Sequence, residues 1–350
     1  MTIWIGDTPV GPGETPFVIA ELSGNHDGSL ERALEIVDAA AGAGVQAVKL
    51  QTYTADTMTL DIDRDEFVIS NPDSLWYGRT LYDLYQEAHT PWEWHEPIMA
   101  RASDHGLLCF SSPFDATAVD FLDGLDVPAF KIASLEITDL PLVARAAATG
   151  RPLIMSTGIA TLEQIGEAVD AARGAGCEDL ILLKCTSSYP ASPDDIHLRT
   201  ILELRERFGC QIGLSDHTLG IGVAIASVAL GATVIEKHIT LNRDEGGVDA
   251  AFSLEPHEFA MLVEEAGDAQ RSLGSADYHQ TASEATRSRR RSLYVTEDIL
   301  AGDPLTPDNM RSIRPGLGLE PKHYESLLGR RLASDTRRGT PLSWDLLLPQ

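Results

Sequence analysis

Hydrophobic positions along the chain fall into two alternating textures. Eight short apolar runs end in polar residues and read as buried parallel strands: "FVIAEL" (17–22), "AVKLQT" (47–52), "LLCFSS" (107–112), "AFKIAS" (129–134), "PLIMST" (152–157), "LILLKCT" (180–186), "QIGLSD" (211–216) and "TVIEKHIT" (233–240). Between them lie stretches of helical period. "SLERALEIVDAAAGAG" puts Leu30, Ala33, Leu34, Val37 and Ala41 on one stripe, behind a Ser29 cap and ahead of Gly44. "TLEQIGEAVDAARGAG" repeats the design, with Thr161 as cap, Glu163 after it and Gly174 or Gly176 as the stop. "LGIGVAIASVALGA" is apolar all round and predicts a tightly buried helix.

Eight strand-then-helix units predict a closed (β/α)8 TIM barrel, with a doubly wound open sheet as the alternative. In such a barrel the chemistry sits at the C-terminal strand ends. Those ends are the polar parts of the runs: Glu21, Lys49 and Gln51, Ser111 and Ser112, Lys131 and Ser134, Ser156 and Thr157, Thr186 and Ser187, Ser215 to His217, and Glu236 with His238. A long segment, about residues 53 to 95, separates the second and third runs. Its portion "SLWYGRTLYDLYQEAHTPWEW" holds six aromatics, more than a solvated loop needs. It reads as a helical hairpin capping the barrel or as a lid lining a sugar-sized pocket. Near residue 274 the pattern stops. "GSADYHQTASEATRSRRR" reads as a polar linker, and from Ser292 short strands and turns take over.

Composition narrows the classes. Hydrophobic residues make up 43% of 350, enough for a large core. Lys plus Arg is 27 against 53 Asp plus Glu, a formal charge of −26. That excludes a nucleic-acid footprint and means an anionic ligand needs a local cluster of cations. Cys109, Cys177, Cys185 and Cys210 form no C-x-x-C pair and read as reduced thiols, which places the chain in the cytoplasm. The start lacks a basic n-region and a long apolar run, so no signal peptide is expected, and no window is long enough for a membrane span.

Strand alternation puts Glu236 and His238 on one face of "VIEKHIT" and Lys237 on the other. His217 in "LSDHTLG" ends the neighbouring strand. One such histidine is commonly structural, bonded to a strand-end carbonyl. Two on adjacent barrel tops point to a divalent metal with positions left open, Asp216 and Glu236 being further ligands or orienters. Mixed nitrogen and oxygen donors suit Mn²⁺, Mg²⁺, Co²⁺ or Zn²⁺. Lys49, Lys131 and Lys184 each interrupt an apolar strand. With Ser112, Ser134, Ser156 and Ser215 they predict a cradle for phosphate or carboxylate, the alternative being a Schiff-base lysine.

These stretches, with "SSPFD", "VPAFKIASLEITDLPL", "STGIATLEQI", "CTSSYP", "GLSDHTLGI" and "ATVIEKHITLNRDEGGVDAAFSLEP", resemble the sialic-acid synthase family. The resemblance covers nearly the whole chain. It implies a barrel over residues 1–280, a linker over 281–291 and an antifreeze-like (SAF) domain over 292–350. It also implies condensation of phosphoenolpyruvate with an N-acylated amino sugar to a nonulosonic acid. "SGNH", "QTYTADTMTLD" and the aromatic insert are most like the branch that uses 2,4-diacetamido-2,4,6-trideoxy-altrose. N-acetylneuraminate or legionaminate synthesis is the alternative within the family, and a non-catalytic carbohydrate-binding protein the one outside it. Position by position, the resemblance implies phosphoenolpyruvate contacts at Lys49, Ser112, Lys131, Ser134, Ser156, Ser187 and Ser215, Ser187 standing where some relatives carry asparagine. It implies sugar contacts at Gln51, Glu136, Tyr189, Asp249 and Arg314, and metal ligands at His217 and His238. The metal is expected to be Mn²⁺, Mg²⁺ or Co²⁺. Glu21, Lys131 and Glu236 carry the catalytic roles, with the proton carrier open between Glu21, Glu236 and a water. Val248 stands where the family often has proline. A homodimer in which each small domain caps the partner's barrel is the expected assembly.

Overall fold

The polar ends of the eight apolar runs converge because the strands close on themselves. The structure, a computed structural model, describes residues 2–72, 74–276 and 288–349. It divides into two compact units, Met1–Gly274 and Ser275–Gln350.

The first unit begins with a hairpin the periodicity did not predict, β1 (Ile3–Ile5) and β2 (Thr8–Val10). Its Ile3, Ile5 and Val10 pack with Phe17, Ala47, Phe110 and Ala129, near the starts of the barrel strands. The barrel strands are β3 (Phe17–Glu21), β4 (Ala47–Thr52), β5 (Leu108–Pro113), β6 (Phe130–Ile132), β7 (Leu153–Ser156), β8 (Leu180–Cys185), β9 (Gln211–Ser215) and β10 (Val234–His238). They pair in parallel in chain order, and β10 closes the barrel by pairing with both β9 and β3. All eight predicted runs are strands of this barrel.

Helices follow each strand. In α1 (Leu30–Gly42) the Ser29 hydroxyl accepts from the Arg32 amide, as an N-cap should. The buried face is Ala33, Ile36, Val37 and Ala40, one step round from the predicted stripe, with Leu30, Leu34 and Ala41 at its margins. The helix over Leu162–Gly174 is boxed by Thr161 with Gln164, so the acid at 163 plays no part in the box. The helix over Gly222–Ala229 is not buried all round. Ala224, Ser227 and Val228 face inward, and Ala226 and Ala229 face solvent, because an outer-ring helix has one side on the sheet. Among the described residues no helix is long and apolar enough to cross a membrane.

The parity of β9 and β10 is held from outside the barrel. Lys237 Nζ donates to Asp216 Oδ2 at 2.8 Å and to the Thr218 carbonyl at 2.7 Å. Asp216 Oδ1 in turn accepts from the Thr218 amide and hydroxyl. Both charged side chains are 0% exposed. Lys237 and Asp216 each precede or follow a candidate site histidine, so this outer pair fixes both strand ends together.

The second unit holds one antiparallel pair, Ser292–Val295 with Met310–Ile313. Isolated bridges such as Ile299–Thr336 and Pro304–Arg331 supply much of the rest, around a core of Leu293, Leu305, Met310, Leu327, Leu332 and Leu342. Of the linker over 281–291, residues 281–287 lie outside the described residues.

Two consequences follow for stability. A methyl at Gly213 of β9 would meet the Val234 carbonyl at 2.4 Å and Leu183 Cδ2 at 2.6 Å. Gly213→Ala therefore costs about 1–3 kcal/mol or more in denaturant unfolding of the full chain; an unchanged midpoint would refute the close approach. Lys237→Met strands a buried carboxylate and costs about 3–5 kcal/mol in the same measurement. A loss under about 1 kcal/mol would show that the pair does not hold the strand ends.

Candidate active site

The barrel interior at the C-terminal strand ends carries four charges from four strands. Lys49 Nζ on β4 meets Glu21 Oε2 on β3, donates to Ser112 Oγ on β5 at 3.1 Å, and lies 3.9 Å from Glu236 Oε2 on β10. Lys131 Nζ on β6 donates to Glu236 Oε1 at 2.8 Å, and Ser215 Oγ on β9 donates to the same oxygen at 3.0 Å. The two carboxyls are pushed apart. Burial opposes ionisation of Glu236, but Lys131 and Lys49 override it and hold its pKa low. Glu21 is raised by burial, with Lys49 pulling the other way and Glu236 adding to the rise.

Above this floor lies a rim of hydroxyls. The Gly158 amide donates to Ser134 Oγ at 3.1 Å. A methyl at Gly158 would reach within 2.2 Å of Ser187 Oγ and 2.7 Å of Ser134 Oγ, so glycine keeps those hydroxyls clear. Ser156 Oγ is buried and finds no hydrogen-bond partner among the described residues. A buried donor left so at a strand end of the same barrel mouth as Lys49 and Lys131 fits an anionic ligand.

The strand lysines do not act as three. Lys184 points away from the interior, bonding Thr186 Oγ1 at 2.9 Å and its neighbour's carbonyl. The inward position on β8 belongs to Cys185, whose Sγ is 3.9 Å from His217 Nδ1. Asp216 is likewise no ligand candidate, since its carboxylate is committed to Lys237 outside the barrel.

His217 and His238 face each other with ring centroids 5.4 Å apart. His217 Nδ1 bonds the Thr186 carbonyl at 3.0 Å, and His238 Nδ1 bonds Ser23 Oγ at 3.0 Å. Each ring therefore keeps Nε2 as its ligating nitrogen. Burial, then the charge of His217, holds the His238 pKa well below the ordinary range, so it is a neutral donor. Burial pulls the His217 pKa down, but the Cys185 sulfur and the Thr186 carbonyl beside it raise it, so of the two rings His238 is the readier donor; facing each other with fixed Nδ1 partners, the pair fits a divalent ion. Among the described residues no group of three or more His, Cys, Asp or Glu is arranged to hold one, so other positions would fall to water or substrate.

Ser23 is a site residue that sequence reasoning missed. It is buried with φ of 44°, in the left-handed region, and its amide donates to Glu21 Oε1 at 3.1 Å while its hydroxyl holds His238. The only sequence trace is its place in "SGNH", directly after a strand end.

The residues implied for the sugar gather round the same mouth, except one. Tyr189 stacks obliquely on His217, centroids 4.5 Å apart, and Phe252 edges onto His238 at 4.9 Å. Gln51 lies one pleat beyond Lys49 on the same face of β4. Burial raises Glu136 to about 7 against the pull of Lys131, and Oε2 of that carboxyl has no partner among the described residues. Asp249 is raised by burial, with Ser23 and the Gly24 amide opposing. The insert adds aromatic surface: Tyr85 packs on Tyr53, and Trp76 on Tyr189. Arg314 belongs to the second unit, just after Met310–Ile313.

Comparison with known proteins bears on the family of the chain. A profile of the NeuB family matches residues 36–278, and one of the SAF domain matches 290–348. A pseudaminic acid synthase of Campylobacter jejuni is 43% identical over 93% of this chain and 95% of its own. A pseudaminic acid synthase of Helicobacter pylori is 41% identical over 95% and 98%. A crystal structure of N-acetylneuraminic acid (sialic acid) synthetase from Leptospira borgpetersenii, in complex with citrate, superimposes with a TM-score of 0.73 at 32% identity, covering 81% of this chain and 94% of that one. With its parallel barrel, its SAF domain and this likeness along nearly its whole length, the chain belongs to the NeuB family.

Proposed function

We propose that this protein is a pseudaminic acid synthase, condensing phosphoenolpyruvate with 2,4-diacetamido-2,4,6-trideoxy-altrose and releasing phosphate. The observation that carries the reading is the identity of 41–43% to pseudaminic acid synthases over more than nine-tenths of the chain. The floor of Lys49 and Lys131 with its hydroxyl rim supports it from the geometry.

In this reading Lys49, Lys131 and Ser112, Ser134, Ser156, Ser187 and Ser215 hold the phosphate and carboxylate of phosphoenolpyruvate. Gln51, Glu136, Tyr189 and Asp249 orient the open-chain sugar so that its aldehyde carbon meets carbon 3 of phosphoenolpyruvate. His217 and His238 would hold a divalent ion, Mn²⁺, Mg²⁺ or Co²⁺, which when bound supplies Lewis-acid polarisation of the sugar carbonyl. Carbon–carbon bond formation leaves cationic character at carbon 2, and Glu236, kept ionised by the lysines, faces it. Water adds at that carbon, and the tetrahedral product expels phosphate. Glu21, whose raised pKa lets it carry a proton, is the group that exchanges protons with the water and the new alcohol. The four unpaired thiols accord with a reducing cytoplasm.

Phosphate release tests the substrate and the metal together. Turnover is expected with the trideoxy-altrose and not with N-acetylmannosamine, and should vanish on chelation and return with Mn²⁺. His217→Ala and His238→Ala should each lower it roughly a hundredfold or more, since even outer partners of ligands cost 10–100-fold. Preference for N-acetylmannosamine would overturn the substrate, and full activity in chelator would overturn the metal.

The protein is further proposed to act as a homodimer, with Arg314 of each chain completing the sugar site of its partner. A mixture of inactive His238→Ala and inactive Arg314→Ala proteins, under subunit exchange, should regain activity, to about half per hybrid dimer. If each chain caps its own barrel, no activity returns.

A further inference from the structure

The insert between β4 and β5 meets the loops around the site at Tyr85 and, by a longer reach, at Trp76. Ile69 and the chain before Thr80 are tied together by the Ile69 amide on the Arg79 carbonyl at 2.9 Å and the Gly78 amide on the Ile69 carbonyl at 2.8 Å, with residues 74–78 as the described tip. At its tip Leu75 and Tyr77 are exposed, while Trp76 between them turns inward. Its Nε1–H donates to the Val248 carbonyl at 2.9 Å, across 172 residues of sequence. Its ring lies 6.0 Å from that of Tyr189, which itself covers His217.

Both contacts fall on the sugar half of the site. Val248 precedes Asp249, and the loop around them has little regular structure of its own, with Gly246 and Gly247 both at positive φ. From below, that loop is held by Ser253 Oγ, which donates to the Asp249 carbonyl at 2.7 Å and accepts from Asn25. From above, Trp76 is what holds it. A cavity of about 620 Å³ opens against Trp76, Val248 and Ala251; the charged Asp27, Arg79, Glu87 and Glu245 complete its rim, and none of Gln51, Glu136, Tyr189 or Asp249 lines it. The indole is thus a wall beside open space rather than a core residue.

We propose that Trp76 is a positioning residue that sets specificity for the sugar's far end. Its N–H fixes the carbonyl before Asp249, its ring braces Tyr189, and the apolar wall so formed favours a deoxygenated, N-acylated chain over a polyhydroxylated one. A hydroxyl placed against that face gains no polar partner from it. This rests on the synthase reading above; the phosphoenolpyruvate half of the site is built chiefly on β4 to β7 and β9, with Ser187 beside Tyr189 as its one link to this wall.

The test uses the full-length enzyme with Trp76→Phe, which keeps a ring and loses the N–H, and Trp76→Ala, which loses both. One neutral hydrogen bond corresponds to roughly a two- to tenfold effect. Trp76→Phe should raise the KM for the trideoxy-altrose by about that factor, with kcat and the phosphoenolpyruvate KM within about twofold of wild type. Trp76→Ala should raise the sugar KM further and narrow the preference over N-acetylmannosamine. Independently of turnover, amides over 247–252 should exchange hydrogen faster in Trp76→Phe by a similar factor, with barrel amides unchanged. An unchanged sugar KM, a phosphoenolpyruvate KM rising in step with it, or unchanged exchange would overturn the proposal. If Trp76→Ala does not fold, Trp76→Phe decides alone. A wild type inactive on every sugar would instead overturn the synthase reading and the specificity role with it, leaving exchange to decide whether the clamp exists.

Discussion

Two ammonium groups and two carboxyls, buried together at the top of the barrel, are the constraint on which the rest of the site depends. Glu21, Lys49, Lys131 and Glu236 come from four strands, and only a closed barrel brings those strands round to one point. Burying charge is costly unless it is paired, and here a lysine lies against each carboxyl: Glu236 is held ionised, while burial raises Glu21. Removing one member would leave a neighbour charged in a dry interior. Ser112 and Ser215 take up bonding capacity on Lys49 and Glu236, and the hydroxyl rim and histidine pair sit above. In a chain of net charge −26, these two lysines are kept at the site by enclosure and pairing, not by composition.

Much of this was legible in the sequence because strands buried on both faces leave an apolar trace and functional strand ends break it. All eight runs became barrel strands, and Glu236 and His238 share a face as the period of two requires. What failed was parity where both faces are equally apolar. "LILLKC" gives no sign of which side looks inward, and Lys184 went out while Cys185 went in. Asp216 looked like a metal ligand for a related reason, since only the three-dimensional position of Lys237 shows that it is already bound. The first hairpin has strands of three residues, too short to carry a periodicity. Ser23 acts through a left-handed backbone, which no residue type announces as glycine would. Trp76 could be seen as one of six aromatics, but its partner, a backbone carbonyl far along the chain, has no signature at all.

The two halves of the site are built by different means. The floor uses side chains on strands, locked by their neighbours in the sheet. The residues implied for the sugar, Gln51 on β4 and Arg314 of the second unit apart, sit on loops after β6, β8 and β10, and the order there comes from single cross-links such as Ser253 to Asp249. Strand-mounted groups suit the part of a reaction that stays constant, and loop-mounted ones suit the part that differs between substrates.

The two-sided commitment of β9 and β10 limits what descent with modification can do to them. Inward Ser215, Glu236 and His238 line the candidate site, and outward Asp216 and Lys237 hold the sheet, so every second position answers to a different demand. Replacements can accumulate one at a time on either side. A single-codon insertion or deletion within these strands, however, would swap the two faces at once, sending Lys237 inward and Glu236 outward. Length in these segments should therefore be far more resistant to drift than identity, and homologous recombination between relatives should succeed at the loops and fail inside the strands.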